Sequence, residues 1–83
     1  MTNIGNKIKE LRKKKGLTQE QLASSINISF QAISKWENNI ALPDITMMPV
    51  LATFFGVSMD ELFDFSLKEM EEDIERIVDE VYK

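Results

Sequence analysis

The sequence predicts an all-α fold, a bundle of five short helices followed by an acidic amphipathic stretch that reads as a further helix. Three observations carry this. Apolar residues recur at helical spacing, beginning with Ile4, Ile8 and Leu11. Thr18, Ser29 and Ser58 each stand where a helix would start, inside an apolar pair at the positions of a hydrophobic staple: Leu17 with Leu22, Ile28 with Ile33, and Val57 with Leu62. Gly16, Asn27, Asn39 and Gly56, residue types that tolerate a left-handed backbone, follow the apolar stripes where a helix should stop.

The elements follow in order. The Ile4, Ile8, Leu11 stripe marks a first helix that ends in the Lys13-Lys14-Lys15 run and Gly16. Thr18 and Gln21 form a capping box for the second helix, which buries Leu22, Ala23 and Ile26 and stops at Asn27. Ser29 caps the third helix, predicted to run to about Asn38 with Asn39 as its exit and with Ile33 and Trp36 facing the core. Pro43 cannot continue a helix and Asp44 favours a cap, so "IALPD" is a loop. A fourth helix covers roughly Ile45 to Phe55, with Pro49 early enough to cost at most one backbone bond, and Gly56 ends it. Ser58 and Glu61 form a second capping box, opening a short fifth helix. Residues 1–65 make one domain and residues 66–83 a separate segment. In that segment Leu67, Met70, Ile74, Ile77 and Val81 form a heptad stripe with acidic residues on the other faces.

Composition excludes several function classes. With no cysteine and no histidine among 83 residues, disulfides, thiolate chemistry, imidazole catalysis and the usual zinc sites are out, and no metal or cofactor is expected. Glu71, Glu72 and Asp73 read as a solvated helix face, without the loop spacing of a cation site, so an enzyme is not expected. No apolar run is long enough to span a bilayer, and the Lys-bearing first fifteen residues have no apolar signal region, so a cytoplasmic protein is expected. The net charge of −4 is unevenly spread: residues 1–59 hold seven basic and four acidic groups, residues 60–83 three basic and ten acidic. That division fits a body facing a polyanion with an acidic tail, and equally two solvated surfaces that differ.

The third helix, "SFQAISKWENN", carries the functional signal. Opposite Ile33 and Trp36 it presents Phe30, Gln31, Ser34, Lys35 and Asn38, a face without a carboxylate in an acidic chain. Two short helices joined by so tight a turn describe a helix-turn-helix. The stretch "LTQEQLASSINISFQAISKWENNIALPD", followed by "LATFFGVSMDELF", resembles the Cro/C1-type or XRE family of phage repressors and bacterial regulators, over about Ile4 to Phe63.

The resemblance implies a lambda-repressor-like five-helix bundle whose third helix enters the major groove of double-stranded DNA. There a Gln suits adenine, a Lys guanine and an apolar group the thymine methyl, roles that fall to Gln31, Lys35 and Phe30, with Ser29 and Ser34 as flanking donors. Phe30 could equally fold back onto the staple. The resemblance further implies that Gln19 touches phosphate and that Glu37 pairs with Arg12. Asn38 and the backbone near Asn39 are candidates for a second phosphate contact. The Lys run can serve phosphate or simply complement a helix C-terminus.

Asn27 and Asn39 stand where the family usually has glycine, and "NNIALPD" lacks the cations that many relatives place beside the DNA backbone. Weak electrostatic affinity per monomer makes a homodimer on a two-fold operator the expected form, and a transcriptional repressor the expected function. The tail stripe could pair two copies, pack on its own bundle, or lead into another domain. The chain ends at Lys83 without a helix stop, which predicts a longer regulator with a C-terminal sensing or oligomerising domain. The alternative is a protein-interaction module with DNA binding lost.

Overall fold

A computed structural model describes residues 4–63 of the chain. The predicted stripe Leu67, Met70, Ile74, Ile77 and Val81, and the boundary after residue 65, lie outside the described residues. Within them are five helices and no strand: α1 (Ile4–Lys14), α2 (Gln19–Ser25), α3 (Phe30–Glu37), α4 (Met47–Phe55) and α5 (Met59–Leu62).

The boundaries are set by short-range chemistry. The Thr18 hydroxyl accepts from the Gln21 N–H at 3.1 Å while the Gln21 side chain accepts from the Thr18 N–H at 2.8 Å, so the first capping box is complete. The Ser29 hydroxyl accepts from the Ala32 N–H, and the Ser58 hydroxyl from the Glu61 N–H, both at 3.1 Å. At Ser58 the hydroxyl half of the expected box forms.

Each of α1 to α4 then stops in the same way. Gly16, Asn27, Asn39 and Gly56 adopt φ of 71°, 57°, 59° and 67°. The next residue's N–H reaches back to the helix: Leu17 to the Arg12 carbonyl, Ile28 to Ala23, Ile40 to Lys35 and Val57 to Ala52. These are Schellman stops, which satisfy carbonyls that a helix end leaves open. At three of them the apolar residue after the stop is also the staple of the next helix, so one triplet both ends a helix and starts another. The triplets are Gly16-Leu17-Thr18, Asn27-Ile28-Ser29 and Gly56-Val57-Ser58. Asn27→Ala should therefore cost about 1 kcal/mol, because alanine pays the left-handed penalty that Asn partly avoids. Thermal melting should fall by roughly 4–8 °C, with Asn27→Gly close to the parent.

The stop of α3 breaks the pattern. Asn39-Ile40-Ala41 has no hydroxyl cap, and the chain enters a loop that leaves Ile40 72% exposed, Leu42 75% and Ile45 81%. Pro43, between them, is buried. Helix α4 begins at Met47 rather than Ile45, because the Asp44 carboxylate accepts from both the Thr46 N–H (3.0 Å) and the Thr46 hydroxyl (3.2 Å). That local turn holds residues 44–46 out of the helix. Pro49 then falls in the first turn of α4, where its missing N–H would have had no helical partner.

The core joins Ile4 and Ile8 of α1, Leu22 and Ala23 of α2, Ile33 and Trp36 of α3, Met48, Leu51, Ala52 and Phe55 of α4, and Leu62 of α5. Helix α3 packs against both α1 and α2, so its outer face is the side away from these neighbours. One contact was not foreseen. Gly5 is buried where α1 meets the end of α3, and a Cβ there would overlap the Trp36 carbonyl oxygen and approach Asn39 Oδ1 to 2.6 Å.

Candidate nucleic-acid interface

Helix α3 has eight residues, no acid in its first turn, and a single carboxylate, Glu37, which is buried. Its exposed side carries Phe30, Gln31 and Lys35, with Ser34 partly exposed and Ser29 exposed at the cap. Among the described residues, the Gln31 amide and the Lys35 ammonium make no hydrogen bond or ion pair. Phe30 is 41% exposed and lies outside the buried core, to which Ile33 belongs and against which Ile28 packs. Phe30, Gln31 and Lys35 therefore share one accessible face, where among the described residues no polar partner engages Gln31 or Lys35.

The remaining candidates are engaged in part. The Ser29 hydroxyl accepts from Ala32 and keeps its own hydrogen to donate. The Asn38 amide donates to the Ser34 carbonyl at 2.9 Å and touches the Ser34 hydroxyl at 3.4 Å. The N–H groups of Asn38, Asn39, Ile40 and Ala41 all donate to carbonyls of α3. Any phosphate contact at this end thus has to use the side chains of Asn38 and Asn39, not their backbone.

Behind the face lies a clasp. Arg12 Nε donates to Glu37 Oε2 at 2.7 Å and Arg12 Nη2 to Glu37 Oε1 at 3.0 Å, a two-pronged pair in which the arginine and glutamate side chains are 10% and 2% exposed. Arg12 Nη1 also donates to the Leu17 carbonyl at 2.7 Å, and Gln19 Nε2 to Glu37 Oε1 at 3.1 Å. One carboxylate therefore holds α1, α2 and the end of α3 together. The hydrogen bond from Glu37 raises the Arg12 pKa against the opposing effect of burial, so the guanidinium stays charged. Sequence reasoning placed Gln19 on phosphate and had no signal for its bond to Glu37. One Gln19 amide hydrogen is used there, and the other is left over.

The Lys run divides in a similar way. Lys15 Nζ sits 5.3 Å from the centre of the Phe54 ring, tying the end of α1 to α4 by a cation–π contact. Among the described residues no group of His, Cys, Asp or Glu is placed to hold a metal ion.

Three comparisons bear on this geometry. The transcriptional activator BcrR of Enterococcus faecalis is 42% identical over 59 residues, covering 71% of this chain and 29% of BcrR. The chain thus spans under a third of that relative's length. An uncharacterized transcriptional regulator of the SPbeta prophage in Bacillus subtilis, YonR, is 32% identical over 80 residues, covering 90% of this chain and 74% of YonR. The crystal structure of the restriction-modification controller protein C.AhdI from Aeromonas hydrophila superposes with a TM-score of 0.67 at 29% identity, over 75% of this chain and 94% of that one. A helix-turn-helix family profile matches residues 8–62, from within α1 to the end of α5, and by that match the chain belongs to the XRE-type helix-turn-helix family.

Proposed function

We propose that this chain is a sequence-specific DNA-binding transcriptional regulator, acting as a dimer on a two-fold-related operator, and that it is not an enzyme. The observation that carries the reading is the outer face of α3, where Phe30, Gln31 and Lys35 are accessible and carboxylate-free while Glu37, the helix's one carboxylate, is buried against Arg12. The major groove admits one helix, and the N-terminal end of that helix reaches base edges. Gln31 reads adenine, Lys35 reads guanine, and Ser29 and Ser34 donate alongside. Gln19, held by Glu37, offers its spare amide hydrogen to phosphate at the N-terminal end of α2, and Asn38 and Asn39 do the same at the other end of α3.

Whether such a regulator represses or activates depends on where its operator lies relative to a promoter, and BcrR is named an activator. Among the described residues no helix is long and apolar enough to cross a membrane. We place the protein in the cytoplasm, where its DNA would be. The reading of residues 66–83 as an acidic linker or dimerisation segment belongs to the same proposal.

The test is selection of bound fragments from random duplex DNA, which should recover an inverted repeat. On that site Gln31→Ala and Lys35→Ala should each cost about 1–3 kcal/mol and relax preference at the contacted base. Gln19→Ala should weaken all duplexes alike. If the α3 variants weaken chosen and random duplexes by the same factor, another surface reads the sequence. If nothing is enriched at all, the exposed Ile40, Leu42 and Ile45 favour the second reading, in which the chain is a protein-interaction module.

A further inference from the structure

Phe30 is the first residue of α3, beside Gln31 and one turn from Ser34, on the face assigned above to the major groove. Its ring is 41% exposed, lies outside the core cluster, and makes no ring or cation contact among the described residues. Ser29 already caps the helix, so the ring is not needed to shape the helix start. Exposed aromatic surface gains most from burial against an apolar partner. The base edges of the major groove offer one such group, the methyl carbon at C5 of thymine. Cytosine methylated at C5 carries the same group at the same ring position on the other pyrimidine.

We propose that Phe30 reads a C5-methyl group in the major groove, whether thymine or 5-methylcytosine carries it, so that the operator's methylation state alters binding. This rests on the assignment of the α3 face to DNA. Burial of one methyl group corresponds to about a fourfold change in affinity.

The test starts from the parent protein and its selected operator, with each thymine replaced singly by uracil so that only the methyl is removed. Affinity should fall about fourfold at one position in each half-site and hold at the others. At that position a C·G pair should bind less well than T·A, and 5-methylcytosine should recover about fourfold over cytosine. In Phe30→Ala both the uracil penalty and the methyl gain should vanish, with thermal melting unchanged. A uracil scan that is flat everywhere, a penalty that persists in Phe30→Ala, or a marked loss of thermal stability in that variant would each overturn the assignment of the ring. Failure of the underlying reading looks different: the parent would then show no preferred duplex on which to run the scan.

Discussion

Gly5→Ala is expected to lower stability by about 3 kcal/mol, at the upper end of what over-packing usually costs. Helix propensity alone predicts the opposite sign, because alanine is better than glycine in a helix by up to about 1 kcal/mol. The packing decides it. The added Cβ would overlap the Trp36 carbonyl oxygen, which already accepts from the Asn39 N–H at 3.1 Å and closes the stop of α3. A flexible side chain could swing aside, but a backbone carbonyl inside a stop cannot. The beginning of α1 must then lift from α3, and the burial of Ile4 and Ile8 is loosened with it. Thermal melting should fall by roughly 10 °C or more, and Gly5→Val should do worse. A Gly5→Ala variant as stable as the parent would show that α1 and α3 are further apart than described.

Arg12→Ala should be at least as damaging. It strands a carboxylate that is 2% exposed, leaving only the Gln19 amide against it. Removing one partner of a buried pair typically costs about 3–5 kcal/mol. A domain of this size holds only about 3–9 kcal/mol in all, so the variant should sit close to unfolding. Milder changes keep the pair measurable. Arg12→Lys retains the charge but loses the two-pronged geometry and the bond to the Leu17 carbonyl, and Glu37→Gln sets an amide N–H₂ against the guanidinium. In a double-mutant cycle on these two changes, denaturant midpoints should show strong coupling. Independent effects would remove the clasp as the tie between α1 and α3.

What was legible in the sequence is what its residues decide locally. Thr18, Ser29 and Ser58 mark helix starts because a hydroxyl three residues before an N–H can satisfy it whatever surrounds them, and the left-handed stops depend only on the residue type at the turn. The outer face of α3 was legible for the same reason, since period and composition define a face without reference to a partner. The Arg12–Glu37 pair came from resemblance and not from spacing, because nothing in the intervening chain aligns the two. Gly5 gave no warning, since its reason is a carbonyl on another helix. The start of α4 was misplaced because Asp44 can serve either as a helix cap or as a turn acceptor for Thr46, and the backbone geometry chose the second. Gln19 was read outward, toward phosphate, because its bond to Glu37 exists only once α2 lies against α3.

The three repeated triplets also bear on how the chain reaches this state. Each bond that ends or starts a helix closes a short loop, such as Leu17 N–H to the Arg12 carbonyl or Gln21 N–H to the Thr18 hydroxyl, and short loops cost little chain entropy to close. The limits of the helices can therefore be chosen before the helices have met. What remains for the slower part of folding is docking, including the closure of the Arg12–Glu37 clasp across 25 residues. With so much of its contact map local, the bundle belongs among the rapid folders, in the microsecond-to-millisecond range. Its rate should depend more on how quickly α1 finds α3 than on any search for where a helix begins or ends.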